Sequence, residues 1–235
     1  MAGPIAFTTA WLLGWLDQDK YSVRQEDISA LAAMDAQHAW IMITGFVLLG
    51  VGTVALAAGL ASTLNYPSAV AGSVLLVIAG IGLAVAGLAR NDCSSELPAC
   101  AARADPGEVS WHHQVHDNVS LIIFLALIAA PLVFARAFGR DDRWRPLRSY
   151  SILTGLLGFA LLVLYMIASA GTWNGFVQRV FVSVLFLWIA VLGFRLSRVS
   201  SSQLALSRRP YQRIQSCEGT AALKRLRDCS HAAAR

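Results

Sequence analysis

The sequence predicts an all-α, polytopic integral membrane protein, a bundle of six transmembrane helices, on three observations. Hydrophobic residues make up 56% of the chain and charged residues only 14%, far from the balance of a soluble domain. From Trp40 to Leu196 the chain is mostly a succession of apolar runs. Each is about long enough to cross a hydrocarbon core, which takes roughly 20 helical residues. Arginine, finally, gathers in alternate connections only, as the positive-inside bias requires.

The expected spans are 3–16, 39–61, 67–89, 117–138, 149–170 and 176–196. The first is short. A signal peptide would have an apolar core of similar length, but no basic segment precedes it and no small-x-small site precedes Asp17. It therefore reads as a first helix, and a start further upstream would account equally well for its length. Between spans one and two, Tyr21–Leu31 has an amphipathic pattern that suggests a short helix lying on the bundle mouth. Spans two and three are rich in small residues: Gly45, Gly50, Gly52, Ala55 and Gly59, then Gly72, Gly80, Gly82 and Ala86. Pairs such as Ala55/Gly59 and Gly82/Ala86 have the small-xxx-small spacing that lets backbones approach closely in lipid. Pro131 in span four removes a backbone donor and is expected to kink it.

Orientation follows from charge. The segment 136–148 holds five Arg against Asp141 and Asp142, and the tail from Arg195 holds nine basic residues against Glu218 and Asp228. Segments 17–35 and 90–117 each carry two basic and five acidic residues. The rule places 136–148 and the basic tail, 197–235, in the cytoplasm and the other two segments outside. Both termini are then cytoplasmic, and Trp15, Trp40, Trp111 and Trp173 fall at the outer interface as an aromatic belt. The tail mixes Ser, Arg and Ala and is expected to be disordered, or to lie on the anionic inner leaflet. The abundance of Ala and Arg with few Lys in the whole sequence fits a bacterium of high GC content, and the bundle is expected in the plasma membrane.

Composition excludes some partners. The net charge of +5 invites a nucleic-acid reading, but the basic residues flank membrane segments instead of lining an aromatic-bearing platform. The expected partners are membrane lipid or an apolar small molecule. No Asp, Glu, Lys or His lies in the middle of a span, which argues against a proton-coupled pump. The cysteines form no C-x-x-C. Cys93 and Cys100 share an outer, oxidising loop and can close it as a disulfide, whereas Cys217 and Cys229 lie in the tail.

The residues that can carry chemistry sit at the outer ends of the spans. In Trp111-His112-His113-Gln114-Val115-His116-Asp117, His112 and His116 share a helical face, as do His113 and Asp117. His112 and His116 could grip a metal if a third ligand came from elsewhere, although no H-E-x-x-H pattern accompanies them. His112, His113, His116 and Asp117 could instead do acid–base work, or form a wet structural cluster. The turn Trp173-Asn174-Gly175-Phe176-Val177-Gln178-Arg179 places Gln178 and Arg179 at the membrane edge. An Arg there needs a carboxylate, a phosphate or water: Asp92 and Asp117 are the candidate carboxylates, and snorkelling to lipid phosphates is the alternative. Ser29 could act as a nucleophile only if His113 or His116 folds against it; capping or packing is its ordinary role.

Tyr21-Ser22, Ile28-Ser29-Ala30-Leu31, Asp92, the His112…His116 spacing and Gly175…Gln178-Arg179, in that order, resemble a bacterial membrane-protein family, domain of unknown function 998. The resemblance covers about residues 3–196 and implies six membrane helices with those polar motifs gathered at one end. The chain departs from the family pattern where a Phe-Pro-Thr-Asp-like stretch reads Ala89-Arg90-Asn91-Asp92, and where His113 replaces a small residue.

Two function classes follow. In one, the outer cluster of Ser29, Asp92, His112, His116, Gln178 and Arg179 belongs to a non-enzymatic protein that binds lipid or a partner. In the other, an integral membrane enzyme acts on a lipid or other apolar substrate. His112, His113, His116 and Asp117 would then do the chemistry, with Gln178 and Arg179 holding an anionic or carbonyl oxygen.

Overall fold

A computed structural model of the chain describes residues 2–19, 21–94, 99–100, 102, 108–168, 172–199 and 201. They form six long helices and one short 3-10 helix. The long helices are α1 (Ala2–Asp17), α2 (Trp40–Thr63), α3 (Pro67–Leu88), α4 (Trp111–Phe138), α5 (Leu147–Ala168) and α6 (Asn174–Val199). The 3-10 helix, η1, is Ile28–Ala32. One compact unit covers Met1–Phe194 and a second Arg195–Arg235; nearly all of the expected tail, with Cys217 and Cys229, lies outside the described residues.

Local chemistry sets the helix ends. Pro67 opens α3, where its missing N–H costs nothing. α4 starts at Trp111, not 117, because the Ser110 side chain accepts from the His113 N–H and caps it. The whole Trp111–Asp117 motif is therefore helical, and Pro131 is accommodated within the same continuous helix. Between Tyr21 and Leu31 the structure departs from the expected helix. Ser22 donates its N–H to the Glu26 side chain, and Tyr21 Oη donates to the Asp27 carbonyl, so turns replace a helix until Ile28.

α2, α3, α4 and α5, α2 onward in sequence, pack each against the next, and α1 lies on α2. α6 closes the bundle. Phe186 meets Phe7 of α1 at 5.1 Å, Phe181 meets Phe124 of α4 at 5.0 Å, and Trp188 Nε1 donates to Ser151 Oγ of α5. α2 and α3 cross at Gly50 and Gly80: a Cβ at Gly50 would stand 2.4 Å from the Gly80 carbonyl oxygen. Only glycine permits that approach. Gly82 lies instead against Ile123 of α4, and Ala55 is exposed, so the Ala55/Gly59 spacing marks no crossing.

Val51, Ile81, Leu125, Leu156, Phe159 and Leu187 all point outward. Such a continuous apolar surface belongs in lipid. Among the described residues five helices, α2 to α6, are long and apolar enough to cross a membrane, and the protein is a multi-pass membrane protein. α1, with 16 residues, reaches about 24 Å, short of a core of roughly 30 Å. Trp15, Trp40, Trp111 and Trp173 are exposed at the end of the bundle that carries η1, whereas Trp144 at the opposite end is buried against Phe138.

Candidate functional site

The polar residues expected to form one cluster are all at the η1 end, but they divide into three groups with separate partners.

The first group is a knot around Arg179. Its terminal nitrogens donate to the carbonyls of Val23 (2.9 Å), Glu26 (2.9 Å) and Gly175 (2.7 Å), and to Tyr21 Oη. The guanidinium also lies over the rings of Trp11 and Tyr21, at 5.4 and 5.5 Å from their centres. Neither Asp92 nor Asp117 is its partner. The sequence points to carboxylates, but backbone carbonyls of the 21–27 turns need donors and Arg179 is the group that reaches them. Gly175 makes the approach feasible, since a Cβ there would stand 2.2 Å from the Glu26 oxygen. Burial pushes the Tyr21 phenol well above its usual range, against the opposing pull of Arg179, so Tyr21 stays a neutral donor.

The second group is a clasp between the end of α3 and the start of α4. The Asp92 carboxylate accepts from Ser110 N–H and Ser110 Oγ, both at 2.7 Å. Burial alone would raise the Asp92 carboxyl, but the Ser110 donors, with His112 and His113 nearby, outweigh it and hold the group below its ordinary 3.8. His112 Nδ1 donates to the Arg90 carbonyl at 2.6 Å. His113 Nδ1 accepts from the Asp92 N–H, and its Nε2 stands 3.5 Å from Asp117. Cys93 and Cys100 are joined by a disulfide in the loop leaving this clasp.

The third group lines a cavity of about 480 Å³. Its polar rim includes Asp27, Ser29, Asn91, His116, Asp117 and Gln178; its floor is Phe7, Phe46, Leu83, Leu127, Leu185 and Phe186. Asp117, Asn118, Leu121 and Met166 are the exposed members of the described lining, so the cavity opens at the surface between α4 and α5. From Asp117 to Leu127 the α4 wall rises ten residues, roughly 15 Å. Asp27 is held by Tyr165 Oη and by Asn174 Nδ2. Gln178 Oε1 accepts from the Ile28 N–H and anchors η1 over the cavity.

His116 is the most informative rim residue. Its Nδ1 lies 2.8 Å from the Ala86 carbonyl and 3.0 Å from that of Ala89. Carbonyls only accept, so Nδ1 carries a proton, and in the neutral ring Nε2 is then the lone-pair nitrogen. His112 and His116 share a helical face but serve different partners. Among the described residues no three His, Cys, Asp or Glu side chains come together as a metal centre would require. Nor does any hydrogen bond among them join Ser29 to His113 or His116, although Ser29 and His116 both line the cavity. Of the acid–base candidates, only His116 and Asp117 reach the cavity; His112 and His113 stay in the clasp.

Asp27, Tyr165, Asn174 and Asn91 were not singled out from the sequence. Asn174 had a usable signal, one helical turn before Gln178 and so on the same face. Tyr165 had none.

Residues 1–195 match the profile of a family described as "Protein of unknown function (DUF998)". No curated protein and no solved structure matches the chain.

Proposed function

The chain belongs to the DUF998 family of proteins of unknown function, and we propose that it is a non-enzymatic plasma-membrane protein holding a lipid-like amphiphile in the cavity between α4 and α5. In this reading α1 is a sixth span, both termini are cytoplasmic as the Arg distribution requires, and the η1 end faces outward. One observation carries the reading: the cavity changes along its depth from a hydrogen-bonding rim to an apolar floor, and it opens sideways where lipid would stand. Its volume lies in the range of small-molecule sites. The described lining contains Asp27 and Asp117 but no Arg or Lys, since Arg179 is committed to carbonyls. The head group is therefore hydroxylated or cationic, not a bare phosphate.

A second reading, an enzyme acting on an apolar substrate, is favoured by His116, whose Nδ1 contacts leave Nε2 as a potential base at the rim. One experiment separates the two. The full chain is purified in a non-ionic detergent and its retained amphiphile is identified by mass spectrometry, alongside Ser120→Trp and His116→Gln. Binding predicts one retained molecule per chain, lost in Ser120→Trp and chemically identical in wild type and His116→Gln. A different molecule in His116→Gln, substrate in place of product, would establish the enzyme. Unchanged retention in Ser120→Trp would remove the cavity from both readings.

A further inference from the structure

A second concavity lies at the opposite end of the α4–α5 seam, and its chemistry is the reverse of the first. Arg136, Gly139 and Arg140 from the end of α4 line it together with Arg148 from the start of α5. Leu132 and Ile152 form its apolar side, toward the middle of the two helices. We propose that this concavity is a binding site for the phosphate-bearing head group of an anionic membrane lipid.

Charge pairing makes the assignment. Among the described residues, Asp141 and Asp142 are the carboxylates of this segment, and both are engaged elsewhere. Asp141 accepts from Arg143 Nε at 3.1 Å and Nη2 at 2.7 Å, and Asp142 pairs with Arg145 at 3.2 Å. The side-chain hydrogen bonds from Arg143 hold the Asp141 carboxyl below its ordinary 3.8, so it stays ionised and committed to Arg143. Arg136, Arg140 and Arg148 make no ion pair among the described residues. Three arginines thus line one hollow without an ion pair among the described residues, beside two apolar spans. Guanidinium forks match phosphate oxygens in geometry, and a basic hollow between membrane helices at the head-group level suits an anionic lipid.

Shape adds a second argument. Gly139 adopts ordinary helical backbone angles, so its glycine serves no turn. A Cβ at Gly139 would stand 3.2 Å from Arg148 Cδ and 3.4 Å from its Nε. A methyl there would press on the Arg148 stem and displace it by a few tenths of an ångström, so the bare backbone gives that stem its place across the end of α4. A diffuse positive belt would not need that vacancy; a shaped site does. The apolar side formed by Leu132 and Ile152 points to a lipid rather than free phosphate, because an acyl chain leaving the head group would run along it.

The test uses the delipidated full chain in a neutral detergent, titrated with phosphatidylglycerol and followed by native mass spectrometry. Wild type should retain one phosphatidylglycerol well beyond the level of phosphatidylcholine. Arg136→Gln and Arg148→Gln should each weaken retention at least about fivefold, as loss of one basic group near a head group implies. Gly139→Val should weaken it comparably without changing any charge, whereas Arg145→Gln should leave it near wild type. The Arg136 and Arg148 side chains are exposed, so those variants fold whether or not Gly139→Val does. Equal losses in Arg145→Gln and Arg136→Gln would mean a diffuse charge effect and overturn the proposal. Displacement of the lipid by millimolar inorganic phosphate would overturn the lipid assignment in favour of a phosphate site.

Discussion

Arg179 and His116 lie at the same end of the bundle, are almost equally inaccessible at 8% and 3% exposed, and both serve backbone carbonyls. Their surroundings nevertheless differ in kind. Around Arg179 the terminal nitrogens are consumed by Val23, Glu26, Gly175 and Tyr21, and two aromatic rings cover the guanidinium. Around His116 one ring nitrogen is consumed and the ring borders a 480 Å³ cavity. A buried polar group whose partners are all intramolecular organises the fold; one that keeps capacity beside open volume can receive something else. By that measure Arg179 is architectural, and the polar groups around the cavity are the candidate site.

Substitutions sharpen the contrast. The largest effect is expected for Arg179→Ala, which strands the carbonyls of Val23, Glu26 and Gly175, the last two in buried contacts: about 3–5 kcal/mol lost in reversible unfolding from mixed micelles. Lysine should restore less than half, because one ammonium cannot span the fork of acceptors. A loss below ~1 kcal/mol would mean that the 21–27 turns do not depend on Arg179. Next is Gly175→Ala, whose methyl would collide with the Glu26 carbonyl. It should cost roughly 1–3 kcal/mol and raise protease sensitivity in the turns before η1.

Rim substitutions should divide the other way. Tyr165→Phe removes a donor from Asp27 and should cost only about 1 kcal/mol of stability, while lowering amphiphile retention several-fold. A stability loss as large as that of Arg179→Ala would place Tyr165 in the architecture and erase the contrast.

The smallest effect concerns the clasp. A carboxyl whose folded value lies below the unfolded one adds stability that is complete above the unfolded value and lost as pH falls through the folded one. Asp92 is held below 3.8, so its contribution should be intact at neutral pH and fade only on acidification below that value. Asp92→Asn should flatten this acid limb and leave amphiphile retention unchanged.

Much of the fold is legible in the sequence, because length and apolarity are local properties. Spans 39–61 and 67–89 fall within two residues of α2 and α3 at both ends. The start of α4 is not, since a Trp-His-His-Gln stretch looks like a loop until Ser110 is seen to cap it. The site was legible in location and not in wiring. Ser29, Asp92, His116, Gln178 and Arg179 do reach one end, but an Arg near a membrane edge invites a search for carboxylates. Its partners include carbonyls of a turn 153 and 156 residues away, which every sequence possesses and none advertises. Asp27 was hidden for the related reason that its partners, Tyr165 and Asn174, lie on two other helices.

Photolabelling tests the central claim most directly. A long-chain amine bearing a diazirine in its tail is bound to the purified full chain, irradiated, and the modified residues are mapped by peptide mass spectrometry. An amphiphile seated in the cavity should label the floor, at Phe46, Leu127 or Leu185, and Ser120→Trp should abolish those labels. Labels confined to the outward-facing Leu125, Leu156 and Phe159, unchanged by Ser120→Trp, would contradict it.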